Sequence, residues 1–168
     1  MPEIQVETEP NEHELKDFLE NCFSCVISED SQNFTKESDQ TLDEWFSVAD
    51  MIAMLPTGKL LTIRDEKNGL LGIAFVAKQH PITWPDGHKA ELFILAVHPE
   101  RRKKGFGKML LLRSEKEAKK IGAAKLFINT NSLMNKTVEF YKKNGFVKIG
   151  LFKDYYDNGD AVFLAKTL

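Results

Sequence analysis

The stretch HPERRKKGFGK, from His98 to Lys108, decides how the rest of the chain is read, because it loads one corner with cations and glycines. Immediately before it, Leu92 to Val97 is an unbroken apolar run, the pattern of a strand buried on both faces. Immediately after it, Phe106 to Ile121 has helical periodicity, with Leu110, Ser114, Ala118 and Ile121 on one face and a Glu115/Lys119 pair on another. Gly122 ends that helix. The corner therefore joins a buried strand to a helix N-terminus, where backbone N–H groups lack partners and the helix dipole adds partial positive charge. Gly105 and Gly107 let a ligand approach the backbone, and Arg101, Arg102, Lys103, Lys104 and Lys108 add charge, so the corner suits a phosphate group.

Working outward, Leu126 to Ile128 is another short apolar run, which makes residues 91 to 130 a strand, helix, strand unit with parallel strands and a right-handed crossover. A last helix spans about Asn135 to Lys143 and stops at Asn144 and Gly145. A hairpin of Phe146 to Phe152 and Ala161 to Ala165 follows, turning near Asn158 and Gly159. Toward the N-terminus, Glu3 to Thr8 reads as an edge strand. Asn11 with Glu14 three residues on signals a helix start, and Leu15, Phe18, Leu19, Cys22 and Val26 recur at helical spacing. A second helix, announced by Thr41 and Glu44, carries Leu42, Trp45, Ala49 and Ile52 and stops at Pro56 and Gly58. Leu60 to Ile63 and Leu70 to Ala77 form a hairpin through Asn68 and Gly69, and a loop with Pro81, Pro85 and Gly87 returns to the starting strand. The predicted order is βααββ, βαβ, αββ: an α+β, three-layer arrangement with a mixed sheet of about six or seven strands and about four helices.

At 168 residues the chain, 1–168, reads as one domain, with 42% hydrophobic and 29% charged residues as in ordinary globular proteins. A net charge of −2 offers no overall field for nucleic acid or an anionic membrane, so an anion site must be local. Met1 to Pro10 lacks a basic start and an apolar run, no stretch approaches the roughly 18 apolar residues of a membrane span, and a cytoplasmic location is the default expectation. Cys22 and Cys25 form a CxxC pair, but no second pair and no suitably spaced histidines accompany it, so no metal site is expected and the pair reads as two small residues near a buried helix face.

Spacing sorts the phosphate-binding corners. No GxxxxGK followed by Ser or Thr occurs, which excludes a Walker A loop. Gly105 and Gly107 match the start of a dinucleotide fingerprint, but Leu110 stands at its third small position and the next strand ends in Asn129 and Thr130 without a ribose-binding acid. The remaining pattern, RxxGxG from Arg102 to Gly107, resembles the pyrophosphate loop of the GNAT acetyltransferases. Val97, His98 and Pro99 match that family's V-x-P at the strand end, Tyr141, Gly145 and Phe146 match its Y-x-x-x-G-F, and the element order resembles the family across the chain. Two positions depart from it: Lys103 stands where the family loop often has glycine, and Met134, with Asn135 beside it, where the family often has Asn seven before the tyrosine.

The resemblance implies a GNAT-like acyl-CoA N-acyltransferase fold and transfer of an acetyl group from acetyl-CoA (coenzyme A) to an amine by direct attack. It implies cofactor contacts from Ala96, Val97, Arg102, Lys103, Lys104, Gly105, Phe106, Gly107, Lys108 and Asn135. An alkyl ammonium has a pKa of about 10.4 and must lose a proton before attack, so a base or water path is needed. Glu91, opening the strand AELFILAV, is similar to the catalytic glutamate of histone-type members, and Tyr141 matches the family's usual acid for the departing thiolate. Asp154, Tyr155, Tyr156 and Asp157 fall in the terminal hairpin, where YYDNGDAVFLAK resembles the ribosomal-protein alanine acetyltransferase branch. The acceptor groove is expected between the helices over Asn11 to Leu55 and the loop around Thr83 to His88. The expected partner is a small-molecule or peptide amine, with no nucleic acid and no membrane, and a homodimer is left open. Two rivals remain at this point: a catalytically silent CoA-binding module of the same fold, and an RNA or DNA binder using Arg101 to Lys104.

Overall fold

The computed structural model describes residues 2–29, 47–78, 88–156 and 159–168. Its centre is a seven-stranded sheet in the order β1-β2-β3-β4-β5-β7-β6. The strands are β1 Ile4–Glu7, β2 Gly58–Arg64, β3 Leu70–Lys78, β4 Lys89–Val97, β5 Lys125–Asn131, β6 Val147–Tyr156 and β7 Gly159–Thr167. Four α-helices accompany them among the described residues: α1 Glu12–Glu29, α2 Val48–Ala53, α3 Phe106–Lys120 and α4 Asn135–Lys143. Neighbouring strands are antiparallel except β4 and β5, the pair joined by the α3 crossover. The α+β, three-layer fold expected from the sequence is the fold observed.

Two apolar layers explain the sequence pattern. On one face Leu15, Phe18 and Leu19 of α1 and Val48 and Met51 of α2 pack on Leu60, Ile73, Phe75 and Ile94. On the other, Leu110, Leu111 and Ala118 of α3 with Val138 and Tyr141 of α4 pack on Leu61, Ala74, Val76, Leu126 and Leu164. Successive β3 residues alternate between the two layers, and a strand covered on both sides reads as a continuous apolar run. The same was expected of Leu92 to Val97, but β4 is covered less completely. It starts earlier, at Lys89, and a bulge opposite Phe75 and Val76 leaves Phe93 unpaired and 37% exposed.

Local chemistry sets the element ends. The Glu14 N–H donates to Asn11 Oδ1 at 3.1 Å at the start of α1, and Asp50 N–H donates to Ser47 Oγ at 3.1 Å at the start of α2. The expected start at Thr41 and Glu44, with Leu42 and Trp45, lies outside the described residues. Gly145, at φ 90, ends α4 where expected. One expectation is corrected: Glu115 does not pair with Lys119 along α3 but accepts a hydrogen bond from Lys166 Nζ of β7 at 2.7 Å, which binds the helix to the sheet. Cys22 is buried in the apolar layer under α1, and among the described residues no group of His, Cys, Asp or Glu is arranged to hold a metal ion. No helix among them is long and apolar enough to cross a membrane.

Candidate active site

The site begins where two strands part. β4 and β5 pair only from Lys89 to Glu91 against Lys125 to Phe127, after which the sheet opens as a fork. On its other edge β4 stays paired with β3 up to Gly72 and Val97, and the His98 N–H continues the ladder by donating to Leu71 O at 2.9 Å. Antiparallel ladders alternate, so Ala96 and Ile94 also direct their amides to β3, whereas Leu95 and Val97 turn theirs toward the fork. The backbone amides available in the opening therefore belong to Leu95 and Val97, and Ala96 also lines the cavity. Arg102 Nε donates to Val97 O at 3.3 Å, in agreement with that direction.

The fork opens into a cavity of about 530 Å³ between β4, the corner after it, and α4. Ala96, Val97, Arg102, Lys103, Gly105, Phe106, Gly107, Lys108 and Tyr141, all singled out from the sequence, line it. Lys104 and Asn135 are exposed and do not. The cavity also takes in Cys22 of the CxxC pair, Met134 at the position where the family often has Asn, and Phe23, Lys136, Thr137 and Phe140, which no sequence pattern singled out.

The corner has the form its sequence required. Gly105 is the N-cap of α3 at φ 88, with open space where a Cβ would stand. The first helical bond runs from Met109 N–H to Gly105 O, so the amides of Phe106, Gly107 and Lys108 precede the ladder and remain available to an anion. A Cβ on Gly107 would meet Phe140, Leu95 and Val97 only at ordinary contact distances of 3.7 to 3.8 Å. The fold thus does not demand glycine there, and its lack of a side chain serves the cavity. Lys103 occupies the left-handed region at φ 60, which is where a glycine would be free of strain. Among the described residues Lys103, Lys104 and Lys108 form no ion pair. Arg102 is used differently: its Nη2 donates to Cys22 O at 3.0 Å, so its guanidinium fastens α1 to the end of β4.

Tyr141 forms part of the far wall. It is 7% exposed, edge-on to Phe140 at 5.2 Å and to Phe146 at 5.6 Å. Burial pushes its phenol well above the usual range, so it stays protonated and able to donate. Glu91 lies elsewhere, at the vertex of the fork and outside the cavity lining. Asn129 Nδ2 donates to Glu91 Oε1 at 3.1 Å, and the Tyr156 hydroxyl donates to Asn129 Oδ1 at 2.7 Å. The Tyr156 phenol is pushed up to about 12, by burial first and then by Tyr155 and Glu91. Tyr155 is 56% exposed within a cluster that includes Phe152 and Phe163. Asp157 and the loop from Thr83 to Gly87 lie outside the described residues.

A strand-to-helix corner with open amides, a cavity running from it to a sheet fork, and a protonated tyrosine on the cavity wall thus lie together on one mixed sheet. The family model for the acetyltransferase (GNAT) family matches residues 12–146, and the chain belongs to that family. Among solved structures it is similar to the PaiA N-acetyltransferase of Thermoplasma acidophilum in complex with coenzyme A, with TM-score 0.74, 19% identity and 99% of each chain covered. It is likewise similar to a GNAT family acetyltransferase from Elizabethkingia anophelis with acetyl-CoA bound, with TM-score 0.69, 20% identity, and 99% of this chain and 98% of that one covered. At such identities the likeness concerns the fold. In sequence it is 35% identical over 63 residues to the amino-acid acetyltransferase of Yersinia pseudotuberculosis serotype O:1b, which is 38% of this chain but only 13% of that protein.

Proposed function

We propose that the protein transfers an acetyl group from acetyl-CoA to a primary amine by direct attack. The observation that supports this most strongly is the fork itself: pairing of β4 with β5 stops after Glu91, and the Leu95 and Val97 amides then face a cavity that ends at the Gly105 corner. The residues present fit coenzyme A. The open space at Gly105 and the unpaired amides of Phe106, Gly107 and Lys108 suit its diphosphate, with Lys103 and Lys108 supplying positive charge. When bound, acetyl-CoA supplies a thioester, whose C–S bond breaks as the amine nitrogen forms a C–N bond.

The chain's own residues then divide the work. The Val97 and Leu95 amides stabilise negative charge on the carbonyl oxygen. Tyr141 donates its hydroxyl proton, or a hydrogen bond, to the leaving sulfur. Glu91 takes the proton lost by the amine. Leu95 stands four positions along the strand from Glu91, about 13 Å of backbone, so the proton passes through water. A thiol-release assay over an alanine-terminated peptide, spermidine, kanamycin, lysine and glutamate tests the proposal. Amine-dependent thiol release is expected for at least one class; release no faster than without amine would instead favour a binding module without turnover. Glu91→Gln should abolish the acid limb of rate against pH, and a limb left in place would remove Glu91 as the base.

A further inference from the structure

A glutamate acting at a distance through water must present one oxygen in a fixed direction, yet the terminal torsion of a Glu side chain is intrinsically broad. Glu91 is constrained from a neighbouring strand. Glu91 and Phe127 are partners in the last pair before the fork opens, and Asn129, two residues further along β5, lies on the same face. From there its Nδ2 reaches Glu91 Oε1 at 3.1 Å across the opening. An Asn amide turned by 180° would set its oxygen against the carboxylate, two acceptors facing each other. Tyr156 prevents that turn, because a phenol hydroxyl 2.7 Å from Oδ1 donates to the oxygen and holds it away from Glu91.

Tyr156 reaches this position through an irregularity of β6. Phe152 pairs with Ala161 and Tyr156 with Gly159, so residues 153–155 stand opposite Asp160 alone. Asp154 takes φ 52 within that bulge, and its N–H donates to Asp160 Oδ1 at 3.0 Å. Three strands from separate parts of the chain therefore meet at one carboxylate. Lys89 lies on the same face of β4, with Lys125 opposite it on β5, and Tyr155 packs edge-on against Tyr156 at 5.1 Å.

We infer that Asn129 and Tyr156 are positioning residues that hold the Glu91 carboxylate in a single orientation at the fork, an inference that rests on Glu91 being the base. The order of damage among variants separates this from simple packing. Asn129→Asp keeps the shape but replaces the donor with a second carboxylate, so it should lower kcat about 100-fold, against about 10-fold for Asn129→Ala and about 3-fold for Tyr156→Phe. The KM for acetyl-CoA should not change. A packing role would give the reverse order for the two Asn129 variants.

In a Glu91→Gln background none of the three should reduce the rate further. The kinetics use the fastest acceptor of the amine panel. Independently of any acceptor, the NMR signal of the Asn129 side-chain amide, assigned by its loss in Asn129→Ala, should move in both Tyr156→Phe and Glu91→Gln. An unmoved signal in both, or a Glu91→Gln enzyme that is slow while Asn129→Asp and Tyr156→Phe are not, overturns the inference. A Glu91→Gln enzyme with unchanged kcat and pH profile overturns the base assignment on which it rests.

Discussion

Lys103 and Tyr141 show how differently single residues can be read from sequence. The loop departs from the family pattern at Lys103, and its φ of 60 gives the physical meaning of that departure: an exposed side chain tolerated at a backbone angle suited to glycine. Relief of roughly 1–2 kcal/mol of left-handed strain against a cost of about 0.5–1 kcal/mol for the freer unfolded glycine should make Lys103→Gly stabilising. A melting temperature higher by about 1–2 °C is expected, and a lower one would contradict the strain argument. Tyr141, matched from sequence to the family's usual acid, packs its ring on Phe140 and Phe146 and also lines the cavity. Tyr141→Phe keeps the packing and removes the hydroxyl, so kcat should fall about 10- to 100-fold with the acetyl-CoA dissociation constant unchanged. Equal losses in both would mean that the ring, not the proton, matters. Asn129 was not legible as a partner of Glu91, because the two are 38 residues apart and strand polar residues carry no spacing signal.

Among the elements, α1 and α4 begin or end where their punctuation announced. α4 spans the residues anticipated, because Gly145 must take a positive φ, and α1 starts after Asn11 because its side chain caps an amide. What failed was judgement of partners along a helix. Glu115 and Lys119 have favourable spacing, but a β7 lysine 51 residues away supplies a better-placed charge. A similar distant pair ties α1 to β2: Arg64 donates from both terminal nitrogens to Glu14, at 2.7 and 2.9 Å, with Glu7 at 3.5 Å. The hydrogen bonds from Arg64 hold the Glu14 carboxyl below its usual 4.5. A carboxyl lowered on folding contributes stability above its unfolded value and loses that contribution as pH falls through the folded one. The melting temperature of Glu14→Gln should thus lie below that of the unmodified protein at pH 7, with the gap closing below about pH 4. A gap independent of pH would show that the pair contributes through shape rather than charge.

At the scale of the whole molecule, the opening that the proposed transfer uses lies beside the parallel pair of an otherwise antiparallel sheet. The sequence announced the strand, helix, strand unit through its apolar runs and glycines, and the corner between them through its cations. No local residue pattern marks where β4 and β5 stop pairing: β5 stays paired with β7 from Lys125 to Asn131, whereas β4 leaves it after Glu91 and Phe127, and such an end is defined only between strands. The bulges at Phe93 and before Tyr156 were hidden for the same reason: an extra residue in one strand is defined only by its partner strand. In the proposed function the Gly105 corner receives the diphosphate of coenzyme A. Calorimetric titration of acetyl-CoA into the unmodified protein and into Gly105→Glu tests it most directly, since the new side chain would need a left-handed backbone and would bring bulk and negative charge to the open space. Saturable binding that is lost in the variant, with the folded state retained by circular dichroism, is the expected result; equal affinity in both proteins, or no binding to either, would contradict it.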